Sequence, residues 1–235
     1  MPAFASWFRV HPTLVLAQAH ASAAQLANPA LTTALIDLQL VGLDGSVLRR
    51  TLDRARHDLQ DHLDWQAEAA QRRTEVLAER AEASRAFFHW RARLFARLRF
   101  AARRGADPER RFSTVFGYRR VPAPRAAGLV TAGADLFAAL STRSASLAPH
   151  GLDSAFVAEG QAAYHRLCTL HDEAAATLAD RKAATTAVRR ACDQVQEQLL
   201  ILVAADDAAA LETGRPPAFA LAVLRPATSP GADAP

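Results

Sequence analysis

Histidine, cysteine and carboxylate side chains form two short clusters with the right types and spacing for chemistry. His57, Asp58, Asp61 and His62 set His57 one helical turn from Asp61 and Asp58 one turn from His62, each at i,i+4. His165, Cys168 and His171 recur at i, i+3 and i+6, which a helix gathers within about 120° of its circumference. Imidazole, thiolate and carboxylate together suit Zn2+ or another borderline metal. Such a centre would take His57, Asp61 and His62 from one long helix and His165, Cys168 and His171 from another, provided the two pair in equivalent registers. The competing reading makes the first cluster a solvated acidic face and the second a buried cysteine, with His171 beside the surface charges Asp172 and Glu173. A metal site inside a helical bundle usually shows a repeated Glu-x-x-His, and this chain lacks it. The solvated-face reading is therefore favoured, and no cofactor is expected. The chain also holds no phosphate-binding Gly-rich loop, Gly-x-Ser-x-Gly, His-Glu-x-x-His or paired Cys-x-x-Cys. These absences argue against the commonest catalytic scaffolds and for a non-enzymatic protein.

A third constellation is larger. Residues 86–104 interleave Phe87, Phe88, Trp90, Leu94, Phe95, Leu98 and Phe100 with Arg91, Arg93, Arg97, Arg99, Arg103 and Arg104. At 100° per residue, six of the apolar side chains share an arc of roughly 160°. Most arginines take the opposite arc, while Arg91 points into the apolar side and Phe100 into the basic one. From Arg85 to Arg125 twelve arginines face only Asp107 and Glu109, a local net of +10 in a chain of net +4. One helix and its following loop thus hold all the excess positive charge.

Three readings compete for this stretch. It is a core face backed by a solvated one; or it binds anions through Arg93, Arg97, Arg103, Arg104, Arg110, Arg111, Arg119 and Arg120, neutralising phosphates of nucleic acid; or it lies on an anionic membrane surface. No helix-turn-helix or RNA-binding signature supports base readout. Lys182 is the only lysine, a bias that a GC-rich coding preference explains without invoking the guanidinium fork. The core-plus-solvated-face reading leads to the preferred function: a non-enzymatic helical scaffold or protein-protein interaction protein, self-associating as a homo-oligomer. An Arg-rich module for nucleic acid or an anionic membrane surface is the alternative.

The elements that must position these residues are helical. Alanine supplies much of an apolar half of the composition, and Val, Ile and Thr are too few for a large sheet. Residues 1–12 read as an extended aromatic segment. Helix runs from Thr13 to about Val41, broken at Asn28-Pro29. From Asp44 to Arg104 there is no proline, and a single helix of that length would reach ~90 Å, with a bend expected around Arg72-Arg73. Its apolar stripe reads Leu48, Leu52, Ala55, Leu59, Leu63, Ala67 and Ala70, then Leu77, Ala81, Phe88, Phe95 and Leu98. Gly105-Ala-Asp107-Pro108 stops it. A loop over 105–125 follows, anchored by Phe112, Val115, Phe116 and Tyr118, then a helix from about Ala126 to Leu147. A second long helix opens at Leu152-Asp153 and continues to about Glu212. Its heptads set Leu178, Thr185, Cys192 and Leu199 at one core position and Val188, Val195 and Leu202 at the other, with Arg181 an exception.

The order of parts occurs twice. Gly42-Leu43-Asp44 and Gly151-Leu152-Asp153 open a long helix in each half, and Trp7–Pro12, Gly117–Pro122 and Val223–Pro226 are variants of one apolar-Arg-Pro segment. The expectation is one all-α domain: an elongated four-helix bundle of two long and two shorter helices, internally duplicated, its short segments meeting in a small β or irregular cap. The halves are 13–125 and 126–226, and 227–235 is a tail disordered by composition. Cys168 and Cys192, 24 residues apart on one helix, would be separated by ~36 Å, beyond disulfide reach. Unpaired thiols fit a reducing, cytoplasmic setting. Pro12 and Gln18 interrupt the only leader-like stretch, and no run approaches the length of a membrane span.

Overall fold

The computed structural model describes residues 11–27, 45–106, 112–116 and 126–219. They are helical, with no strand among them. In chain order the helices are α1 (Pro12–Gln25), α2 (Gly45–Ala101), α3 (Phe112–Val115), α4 (Ala126–Ser141), α5 (Ser144–Leu147) and α6 (Ser154–Thr213). A π-helical turn, Ala102–Ala106, ends α2, and a 3-10 turn, Ala148–His150, precedes α6. No described helix is long and apolar enough to cross a membrane. The three apolar-Arg-Pro segments expected to form a cap, the Asn28-Pro29 break and the C-terminal tail lie almost wholly outside the described residues.

Local signals set the ends of these helices. Pro12 occupies the first turn of α1, where its missing N–H costs nothing, and the His11 ring accepts from Thr13 N–H. Gly105 takes a left-handed φ of 89° as α2 stops, a conformation glycine adopts freely. Asp153 caps α6, its Oδ1 accepting from Phe156 N–H at 2.8 Å. The helix expected over 126–147 divides at Thr142-Arg143 instead. There the hydroxyls of Ser141 and Thr142 donate back to the carbonyls of Ala138 and Ala139, competing with the helical ladder.

The chain forms two compact units: Met1–Glu68 with Lys182–Pro235, and Ala69–Arg181. In the second unit the α2 and α6 segments run antiparallel. In the first unit Gln66 Nε2 donates to Thr185 Oγ1 at 3.2 Å. In the second, Arg73 Nη1 donates to the Ala174 carbonyl at 3.2 Å and Trp90 Nε1 to the Phe156 carbonyl at 3.0 Å. The core of the first unit joins Val15 and Ala19 of α1 and its C-cap residue Leu26 to Leu48, Leu52 and Leu59 of α2 and to Val188, Val195, Leu199 and Leu202 of α6. The core of the second joins Phe87, Trp90, Leu94 and Leu98 of α2 to Leu129, Leu136 and Leu140 of α4 and to Phe156, Leu167 and Leu170 of α6, with Phe112 and Phe116.

The buried stripe of α2 departs from the sequence expectation after Leu59. Ala67 and Ala81 are exposed, and Leu63 and Leu77 are only half-buried. Val76, Ala83, Phe87, Trp90 and Leu94 form the core instead. Successive steps of four rotate a stripe by about 40° each, so the run 59, 63, 67 winds off the packed face. The half-buried positions between are held by Gln66 and Arg73, whose long stems cover apolar surface while their polar ends bond across. On α6, Val188, Val195 and Leu202 are buried as expected, as are Cys192 and Leu199. Leu178, however, is 37 % exposed, and Thr177 and Ala184 lie in the seam. Small side chains there let the helices approach closely where a leucine would hold them apart.

A carboxylate in place of either of two fully buried seam residues tests this packing. Val195→Asp or Leu199→Asp should cost several kcal/mol, on the order of a domain's whole margin, read as loss of the cooperative unfolding transition in urea. Unchanged melting would show that the seam faces solvent.

Candidate functional site

In the basic aromatic stretch the apolar arc is formed as its spacing requires. Phe87, Trp90, Leu94, Phe95 and Leu98 are buried and Phe88 is half-buried. Trp90 stands at the centre. Its ring stacks on Phe87, Phe137 and Phe156 at centroid separations of 5.8, 5.3 and 5.4 Å. It lies against the α6 backbone at Gly160, where a Cβ would fall 2.1 Å from the indole. Tyr164 repeats the arrangement against Gly133 of α4, where a Cβ would fall 2.3 Å from its ring, and its hydroxyl donates to the Val130 carbonyl at 2.9 Å. Neither glycine entered the sequence analysis. Their signal was there: glycine inside a helix costs about 1 kcal/mol against alanine and calls for a packing reason.

The arginines divide by role. Arg91 is drawn inward, 4 % exposed, with its Cζ 4.9 Å from the centre of the Phe95 ring. Its Nε and Nη1 are buried without a hydrogen-bond partner, and burial lowers its pKa from the ordinary arginine value. Arg93 forms a two-pronged pair with Glu159 at 2.7 and 3.1 Å. Arg97 donates to the Gly151 carbonyl and lies over Phe156 at 3.9 Å. These two arginines thus grip the start of α6. Arg99, Arg103 and Arg104 are exposed, and Arg104 stacks over Phe100, which is 54 % exposed. Arg110, Arg111, Arg119 and Arg120 lie outside the described residues.

The candidate metal ligands fall in different units. His57, Asp61 and His62 belong to the first unit and His165, Cys168 and His171 to the second. In the second unit the antiparallel pairing sets residues 165–171 beside α2 positions between Arg73 and Trp90. Among the described residues, no three His, Cys, Asp or Glu side chains are placed to hold an ion. His57 Nδ1 lies 2.6 Å from the Asp53 carbonyl, and the His62 ring packs at 6.2 Å from Trp65. His165 is exposed beside Tyr164, and the Nδ1 of half-buried His171 has no hydrogen-bond partner.

Both cysteines are free. Burial, then the neighbouring Asp193, pushes the Cys192 thiol up to about 11. Burial first, then the contact with Cys168, pushes the Tyr164 phenol up to about 12. Neither shift activates a nucleophile, because each favours the protonated form at neutral pH.

Gly160→Ala should destabilise the protein by ~1–3 kcal/mol through overpacking against Trp90, although alanine is the better helix former. Urea unfolding followed by tryptophan fluorescence reads this, and a gain in stability would show that the indole shifts freely. A phenol raised from about 10 to about 12 keeps its proton longer in the folded chain than in the unfolded one. Its contribution is complete below about pH 10 and is lost as pH rises to about 12. The Tyr164→Phe variant should therefore lose less stability than wild type across that window in urea midpoints taken at stepped pH. No protein-family model, curated protein or solved structure matches the chain.

Proposed function

We propose that the chain is a non-enzymatic helical scaffold, a protein-protein interaction protein that self-associates. The observation that carries this reading is the use made of the basic helix. Of its described arginines, Arg91 is buried against Phe95, while Arg93 and Arg97 bind Glu159, Gly151 and Phe156 of the same unit. Arg93 and Arg97 turn their donors to neighbouring segments of the fold, and Arg91 is withdrawn from the surface. A surface built to neutralise polyanions would turn those forks outward.

The finer architecture belongs to the same reading: a four-helix arrangement of two long and two shorter helices, internally duplicated. Its support is the make-up of the units. The first takes α1 and the opening of α2 with the end of α6, and the second takes α4 and the opening of α6 with the end of α2. Duplicated hairpins with antiparallel long helices would share their parts in this way. Two free thiols fit a reducing compartment, and a cytoplasmic setting completes the proposal.

A second reading is favoured by the outward group Arg99, Arg103 and Arg104 around exposed Phe100: an anion-binding surface for nucleic acid or an anionic membrane. Reversing Arg103 and Arg104 to glutamate separates the two. For a scaffold, folding stability should change by less than about 0.5 kcal/mol, and heparin or DNA retention should stay weak in both proteins. Retention that survives at physiological salt in the wild type and vanishes in the double variant would replace the scaffold reading, with a salt slope flattened by about one unit per lost phosphate contact. Arg97→Glu is unsuitable for that purpose. It should cost ~1–2 kcal/mol through the lost contacts to Gly151 and Phe156, whatever the partner.

A further inference from the structure

Two aromatic side chains of α2 are exposed among charges of opposite sign. Trp65 is 40 % exposed in the first unit, with Asp61 one turn before it and Glu68 one turn after it, and with Asp58 and Asp64 exposed nearby. Asp64 accepts from Gln60. None of the four carboxylates forms an ion pair among the described residues. Phe100, in the second unit, is set among Arg99, Arg103 and Arg104, all exposed, and a guanidinium already lies over its ring.

We propose that the chain binds a second copy of itself, the Phe100–Arg103–Arg104 patch of one copy docking on the Trp65–Asp61–Glu68 patch of the other. This rests on the self-association reading and gives it a surface. Either patch repels a duplicate of itself, since like charges set face to face cost several kcal/mol. A phosphate-rich surface would attract the arginine patch and be repelled by the tryptophan patch. The partner that suits both is this chain. Aromatic rings and arginines are the side chains that dominate interface energies, and a guanidinium over an indole gains more than one over a phenyl ring. Arg103 or Arg104 against Trp65, with Asp61 and Glu68 accepting from the remaining fork, would cover both exposed rings.

Charge exchange tests the pairing. Asp61→Arg with Glu68→Arg makes a chain with two basic patches, and Arg103→Glu with Arg104→Glu makes one with two acidic patches. Mass is followed by sedimentation equilibrium at low salt and at ~0.5 M salt, where the Debye length falls to about 4 Å. Circular dichroism confirms that each variant is helical. Wild type should associate at low salt and weaken about tenfold or more at high salt. Each variant alone should weaken at least as far, and an equimolar mixture of the two should regain association. Trp65→Ala and Phe100→Ala should each weaken the wild-type contact. Variants that associate as tightly as wild type, or a mixture that fails to recover, overturn this docking and leave self-association standing. A wild type that stays monomeric at low salt overturns both.

Discussion

The seat of Trp90 on Gly160 governs the second unit. An indole brought against the backbone of a neighbouring helix requires a residue without a side chain at that point, and the sequence offers Gly160. Once there, the ring can satisfy its one polar group only by donating along α6, and it does so to the Phe156 carbonyl. The pairing of α2 with α6 is thereby fixed in rotation and in register by one side chain. The surrounding aromatics follow from that placement: Phe87 and Phe137 stack on two sides, Phe156 covers a third, and Tyr164 packs beyond them against Gly133 of α4. Arg93 and Arg97 then act at the rim, where a guanidinium over the Phe156 ring both shields an apolar edge and places its donors on Glu159 and Gly151.

The first unit reaches stability by a different route. Its seam is aliphatic and alanine-rich, with Ala19 and Ala23 of α1, Ala55 of α2 and Ala191, Ala205 and Ala209 of α6 all buried. Small side chains give each helix little apolar surface, so close approach must supply the packing. Asp206 adds a different kind of constraint at the end of α6. It is fully buried and accepts from Arg215 and from the Ala218 and Phe219 N–H groups at 2.6–2.9 Å. Gly214, at φ 67°, turns the chain back so that these donors meet the carboxylate and Phe219 enters the core. A buried charge so completely partnered closes the helix end, which its isolated desolvation would otherwise oppose.

How much of this was legible follows from the kind of signal each feature left. The ends at Asp153 and Gly105 were, because they act through local chemistry that needs no knowledge of neighbours, whereas Pro12 opens a helix although the sequence placed it in an extended segment. The inward Arg91 and the outward Phe100 were legible too, since 100° per residue places them regardless of what packs there. The core stripe was less so. Apolar identity favoured Leu63, Ala67, Leu77 and Leu178, whereas the seam passes through Gln66, Arg73, Thr177 and Ala184. Which side chain a crowded helix pair admits depends on the partner helix, and a single sequence does not display that. The candidate metal ligands are gathered into no group of three among the described residues. Each cluster was read correctly as helical, but only the pairing register decides what lies opposite it.

The remaining arginines show why composition alone misjudges a charged helix. A net of +10 over 85–125 suggests one electropositive surface, yet the described residues within it serve three separate ends. Arg91 is buried in an aromatic environment, Arg93 and Arg97 are held by acceptors on the opening of α6, and Arg99, Arg103 and Arg104 remain outside. Pairing with Glu159 offsets the charge of Arg93, and the exposed arginines next to the exposed Phe100 are Arg99, Arg103 and Arg104 at the end of the helix. That end carries an exposed phenyl ring, as the acidic stretch of the same helix carries an exposed indole. Solvated charge keeps each ring accessible in the free chain and selects by sign what is able to cover it.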